Sequence, residues 1–151
     1  MEDASTGIRL RGRLIDSLYT EAMVLADEVR SYFDHGCKAE RDVLTPLLRV
    51  TLSCESLKIT TRLMNMLSWL LTQRALEMGQ LDAAEGRTPA EWDADDGDPA
   101  ALQGLPDQAI ALIAASRDLQ ARVRRIDGDL HETVDPQSPA LGLLNRLERA
   151  F

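Results

Sequence analysis

Few residues in this 151-residue chain have the types and spacing that chemistry needs. His35 and Cys37 flank Gly36, but one imidazole and one thiol do not complete the four-ligand set of a structural zinc site. They are read as a helix terminus and a small apolar side chain. Cys54 has no neighbouring histidine to activate it and falls on an apolar stripe, so it is expected as a buried hydrophobe. Asp82 and Glu85 could share a helical turn, yet paired carboxylates used as acid and base need a desolvated site. These two lie in a wet, acidic stretch. No glycine-rich phosphate loop, paired-histidine helix or cysteine pair at metal spacing occurs. No catalytic residue, metal or cofactor is expected.

One cluster keeps an enzymatic alternative open. Arg122, Arg124, Arg125, Ile126 and Asp127 are similar, over that short stretch, to the arginine pattern of small helical chorismate mutases, which bind a dicarboxylate. In those enzymes the pattern lies on the first helix, and here it lies on the last. Asp118 stands four residues before Arg122, so solvated i,i+4 pairing accounts for much of the cluster.

Charge excludes further classes. There are 25 acidic and 17 basic residues, a net charge of −8. A nucleic-acid partner would demand a basic face, and none is evident. No apolar run approaches the roughly 20 residues that cross a bilayer. Two cysteines make no disulfide framework, and Met1-Glu2-Asp3-Ala4-Ser5 is not a basic-then-apolar leader, so a cytoplasmic chain is expected. The acidity is concentrated. Between residues 80 and 105, Arg87 alone faces Asp82, Glu85, Glu91, Asp93, Asp95, Asp96 and Asp98. With Pro89, Gly97, Pro99 and Gly104 in the same stretch, it reads as a solvated loop. It either solubilises the chain or offers a docking strip to a basic partner.

The elements on either side are helical. Leu14, Leu18, Ala22, Leu25, Val29 and Phe33 recur every three or four residues, a single stripe that Gly36 is expected to end in a left-handed cap. The second helix begins somewhere between Glu40 and Pro46 and runs to Met78, with Gly79 as its stop. It carries two stripes. Val43, Leu47, Val50, Cys54, Leu57, Thr61, Met64, Ser68, Leu71, Ala75 and Met78 form one; Leu48, Leu52, Ile59, Leu63, Met66 and Leu70 form the other. A helix apolar on two sides needs two neighbours. The third helix opens after Pro106 and carries a seam of Leu105, Ala109, Leu112, Ser116, Leu119, Val123, Ile126 and Leu130.

The simplest closure is an all-α, antiparallel three-helix bundle over residues 12–131. Its helices are expected at about 12–35, 42–78 and 105–131, with the acidic loop at 80–104. Met66, Leu67, Trp69, Leu70 and Leu71 crowd the central helix more than one pair of neighbours can hide, which favours a homodimer. Residues 132–151 form a flexible C-terminal tail, broken at Pro136 and Pro139, with Leu143, Leu144, Leu147 and Phe151 on a short amphipathic piece. That piece either docks back on the bundle or folds onto a partner as a cargo-binding anchor.

The central word, Leu57-Lys58-Ile59-Thr60-Thr61-Arg62-Leu63-Met64-Asn65-Met66-Leu67-Ser68-Trp69-Leu70-Leu71-Thr72-Gln73-Arg74-Ala75, is the most distinctive in the chain. With Asp16-Ser17-Leu18-Tyr19-Thr20-Glu21-Ala22-Met23-Val24-Leu25 upstream, it resembles the RcdA family of alphaproteobacteria, named for regulated degradation of the cell-cycle transcription factor CtrA. The likeness covers roughly residues 12–131. It implies a three-helix bundle that can dimerise and a non-enzymatic cytoplasmic protease adaptor. Its implied partners are the ClpX unfoldase of the ClpXP protease, the response regulator CpdR and transcription-factor cargo, at the cell pole where those partners gather. Within the word, Thr60, Thr61, Arg62, Met66, Trp69, Gln73 and Arg74 are the candidates for a partner-binding or dimer surface. The alternative for them is packing, with Arg62 and Arg74 expected to face outward.

Overall fold

The computed structural model describes residues 2–81, 92, 97–134, 147, 148 and 150, and among them there is no strand. Helix α1 spans Glu2–Ser31 and continues into a π-helical turn at Tyr32–Gly36; α2 is the short Lys38–Asp42, α3 is Pro46–Glu77 and α4 is Asp107–Val134. Three of these are long, and the expected all-α, three-helix class holds.

Helix α1 starts at Glu2 instead of near residue 12, because residues 2–11 hold no proline to break it. Its exit also differs from expectation. Gly36 has no left-handed φ. The amide of Cys37 instead donates to the Tyr32 carbonyl at 2.8 Å, a bond spanning five residues that widens the last turn. The widened turn buries both Tyr32 and Cys37. It also directs the Tyr32 hydroxyl to Glu40 Oε2, to which it donates at 2.8 Å. Helix α2 then ends against Arg49, whose Nε and Nη2 donate to the carbonyls of Arg41 and Asp42 at 3.1 and 3.0 Å. The Arg41 carbonyl also accepts from the Leu44 amide at 3.1 Å, so both ends of the turn are closed.

Helix α3 begins at the late edge of the expected range. Thr45 is its N-cap, its Oγ1 accepting from the Leu48 amide at 3.3 Å, and Pro46 fills the first helical position where its missing N–H costs nothing. Gly79 closes it at φ +70°, as expected.

The core is built by one face of each long helix. Ile15, Leu18, Ala22, Leu25 and Val29 come from α1, Leu52, Ile59, Leu63, Met66 and Leu70 from α3, and Ala109, Leu112, Leu119 and Val123 from α4. Each large one contributes about 1.5–3 kcal/mol by leaving water. The seam expected for the third helix is therefore the buried one. On α1, Ile15 takes the core place expected for Leu14, which is exposed.

Helix direction departs from the simple up-down closure. Gly12 meets Glu77 and Asp16 meets Arg74, while Glu21 meets Arg122 and Gln108 borders the same depression as Asp27 and Tyr32, so α1 runs antiparallel to both α3 and α4. Yet Arg62 meets Ser116 and Trp69 meets Asp127, so α3 and α4 run parallel to one another. The connector between them must travel back along the bundle, and a long crossover connection is what permits this. Its far end is a 3-10 turn at Pro99–Leu102, opened by Asp98, whose Oδ1 accepts from the Ala100 amide at 3.0 Å. Gly104 follows at φ +92°, with the Leu48 side chain where a Cβ would point.

Two outcomes follow. A Cβ on Gly104 would lie 3.0 Å from Leu48 Cδ1, whereas one on Gly79 meets nothing. Both substitutions to alanine carry the left-handed backbone cost of about 1–2 kcal/mol. Gly104→Ala should therefore be the more destabilising of the two in urea titrations. Burial, then the bond to Glu40, raises the pKa of Tyr32 well above its ordinary value. A raised folded pKa gives stability that is complete below the unfolded value of about 10 and lost as pH rises through it. Wild type should thus lose stability above pH ~10 relative to Tyr32→Phe, measured by denaturation across that range.

Candidate interaction surface

The face of α3 turned away from α1 and α4 is apolar and uncovered. Leu47, Val50, Leu57, Met64, Leu71 and Met78 are all exposed, with Leu57 at 69% and Met64 at 65% of full accessibility. Cys54, Thr61 and Ser68 lie between them and are exposed too, and Ala75 is half-buried. This is the first of the two stripes read on the central helix, and it is outside the core. Cys54 is correspondingly exposed, not the buried hydrophobe expected, and Cys37 is the buried thiol. The reason is geometric. Two neighbouring helices cover the second stripe and its flanks, and the opposite edge of α3 is left with no third neighbour.

Most hydroxyls on and beside this face are already satisfied. The hydroxyls of Thr51, Ser53, Thr60, Thr61 and Thr72 each donate to the carbonyl four residues before, at 2.8–3.1 Å. Folded back in this way they leave no stranded donor when covered. The charges beside the face are held within the chain as well. Lys58 Nζ lies 3.2 Å from Glu55 Oε1. Arg74 Nε lies 3.2 Å from Asp16 Oδ1, and its guanidinium sits 4.8 Å from the centre of the Tyr19 ring.

The candidate residues of the central word divide between surface and interior. Thr60 and Thr61 are exposed, and Gln73 and Arg74 are half-buried, Arg74 against α1. Arg62, Met66 and Trp69 are inside the bundle, at 3%, 0% and 7% accessibility. Arg62 does not face outward: its Nη1 donates at 2.9 Å to the Ser116 hydroxyl, which in turn donates to the Ile113 carbonyl at 2.8 Å. A buried guanidinium needs such partners, and α4 supplies this one through a serine on its apolar seam. Of the tail residues, Leu147 is exposed, and Leu143, Leu144 and Phe151 lie outside the described residues. Asp82, Glu85, Glu91, Asp93, Asp95 and Asp96 of the connector also lie outside them.

Asp127 forms a second centre that was not read from the sequence. Its Oδ1 accepts from Trp69 Nε1 and its Oδ2 from Trp92 Nε1, both at 2.9 Å. The two indoles are tilted against each other with ring centres 6.3 Å apart. One buried carboxylate thus ties the crossing connector to both parallel helices. The signal was present: Trp92 is the single aromatic in an otherwise acidic stretch. The arginine cluster is engaged differently. Arg122 makes a two-pronged contact with Glu21, at 2.6 and 3.3 Å, and lies 3.3 Å from Asp118. The bond to Glu21 is the largest influence on its pKa, which it raises. That guanidinium serves as a clamp between α1 and α4. A shallow, open depression beside the π-helical turn, bordered by Asp27, Glu28, Tyr32, His35 and Gln108, gathers no metal-ligating set.

The family model described as "Protein of unknown function (DUF1465)" matches residues 8–151. No curated protein matches the chain. Among solved structures, RcdA from Caulobacter crescentus CB15 is 32% identical, with a TM-score of 0.60 over 76% of this chain and 88% of that one. The chain belongs to the RcdA family. Membership carries the resemblance of residues 57–75 well beyond α3, across most of the bundle. No helix among the described residues of this family member is long and apolar enough to cross a membrane.

The Asp127 centre makes a measurable prediction. Trp92→Phe keeps the ring but removes one donor, and should cost about 1–2 kcal/mol in urea titrations. Asp127→Ala strands both indole N–H groups and should cost more, about 2–4 kcal/mol.

Proposed function

We propose that the chain is a non-enzymatic protease adaptor of the RcdA type. In this reading it delivers CtrA-type transcription factors to the ClpXP protease together with a CpdR-type response regulator. It acts in the cytoplasm, at the pole where its partners gather, and as a homodimer. The observation that carries the reading is the 32% identity to RcdA over 88% of that chain. The uncovered apolar face of α3 and the Arg122–Glu21 clamp support it, because they suit a scaffold that grips macromolecules more than one that transforms a small substrate.

An adaptor needs little affinity of its own. Tethering cargo beside the unfoldase raises its local concentration to about the millimolar range for short linkers, so modest contacts suffice. The parts divide accordingly. Residues 12–131 are the bundle domain that holds the partner surfaces, with Thr60, Thr61, Gln73 and Arg74 at or beside the α3 face. Residues 132–151 are the tail, with Leu143, Leu144, Leu147 and Phe151 as its cargo anchors.

Reconstituted proteolysis tests this. Adding the chain to ClpXP, a CpdR-type regulator and a CtrA-type substrate should accelerate degradation several-fold. No acceleration under those conditions removes the adaptor reading. Deleting residues 136–151 should weaken delivery while circular dichroism of the bundle stays nearly unchanged; loss of folding would assign the tail to the core instead.

A further inference from the structure

The first helix outruns its neighbours. Gly12 lies beside Glu77, the last residue of α3, so residues 2–11 extend past that helix. At ~1.5 Å per residue this is about 15 Å of overhang. The core stripe of α1 shows where cover stops. Ile15, Leu18 and Ala22 are buried, whereas Arg11, one turn back on the same stripe, is exposed. On the neighbouring face Leu10 and Leu14 are exposed at 61% and 46%, a short apolar strip at i,i+4.

Arginines surround that strip. Arg9, Arg11 and Arg13 are all exposed, and their side chains make no ion pair or hydrogen bond among the described residues. Further along α1, Asp16, Glu21 and Arg30 are each paired. The spacing is that of a heptad. With Leu10 at d and Leu14 at a, Arg11 takes e and Arg13 takes g, the positions that select a helical partner by charge. The strip ends after two turns, because the following d and a positions are Ser17 and Glu21, and Glu21 is held by Arg122.

We infer that this end of α1 is a docking strip for an acidic amphipathic segment of a partner protein. Its apolar residues would lie on Leu10 and Leu14, with Asp or Glu beside Arg11 and Arg13. A guanidinium fork accepts a carboxylate through two parallel bonds, and three of them stand unengaged here. Other occupants fit less well. A second copy of the strip would set arginine against arginine in either direction. A nucleic acid or an anionic lipid surface would meet the whole chain, whose net charge is −8. A short peptide segment meets only the arginines within about one Debye length, roughly 8 Å. Two leucines also bury too little to hold a helix among lipid headgroups.

Fluorescence anisotropy of the full chain with a labelled peptide tests this. The probe is about two heptads long, with leucine at a and d and glutamate at e and g; a matched peptide carries lysine at e and g. At low salt the glutamate peptide should bind wild type roughly fivefold or more tightly, and about 0.5 M NaCl should erase the difference. Arg11→Glu with Arg13→Glu should reverse the preference. Leu10→Ser should weaken binding of the glutamate peptide. Helical content should not change in either variant, since these side chains are exposed. Equal binding of the two peptides overturns the proposal. A preference that survives the arginine reversal but is lost in Leu57→Glu assigns the peptide to the α3 face instead. Binding to phosphatidylglycerol vesicles without binding of the glutamate peptide overturns it in favour of a lipid surface. A preference that appears only after Asp93→Asn, Asp95→Asn and Asp96→Asn overturns it in favour of the chain's own acidic connector. Neither peptide requires the protease, so this inference and the adaptor role can fail separately.

Discussion

Helix α3 carries apolar stripes on two sides, and the rest of the molecule is arranged by that excess. Two neighbours are the most that one chain of this length supplies, and each covers about a third of a helix surface. Helix α1 takes one flank of α3 and α4 the other, with Ile59, Met66 and Leu70 at the centre of the contact. A third strip remains, and it is the strip with heptad spacing. The same residues that make a stable interior possible therefore leave a surface that is costly to expose.

Directional specificity comes from polar groups placed inside this apolar frame. Apolar seams alone tolerate sliding by a turn. Arg62 on Ser116 and Trp69 on Asp127 do not, because displacement would leave a buried guanidinium or carboxylate without its partners. Both pairs join α3 to α4, the two helices whose parallel arrangement no short loop could impose. Trp92 extends the second pair to the connector, so the segment that crosses the bundle is held by the carboxylate that aligns the helices it links. On the other side, Arg122 with Glu21 and Arg74 with Asp16 set α1 against both. These clamps are partly exposed and contribute modestly to stability, but they specify direction.

Among the described residues, the features that could meet a small molecule are already engaged or open to solvent. The cationic side chain best placed for an anion, Arg122, is occupied by Glu21, and the depression beside the π-helical turn is open and bordered by acids. The uncovered face of α3 is long and apolar, which is the geometry of contact between macromolecules.

Periodicity made the helices legible, and the resemblance of residues 57–75 made the family legible, because both are local. The seam from Leu105 to Leu130, the stripe from Leu52 to Leu70 and the stop at Gly79 each follow from spacing of three or four residues and from the freedom of glycine at positive φ. Which of two apolar stripes on α3 would be inside was not local. Both have helical spacing, and only the positions of α1 and α4 decide that Leu52 and Met66 are buried while Leu57 and Met64 are not. The same holds for Arg62 and Trp69, whose side chains are polar enough to read as surface until Ser116 and Asp127 are brought beside them. Helix direction was out of reach for a similar reason: a connector's length permits either an adjacent return or a crossover, and the choice rests on pairings more than fifty residues apart in the chain. The sequence by itself determined the helices, their apolar content and the family. Tertiary structure decided which face is covered, because burial is a property of neighbours and not of the residues that are buried.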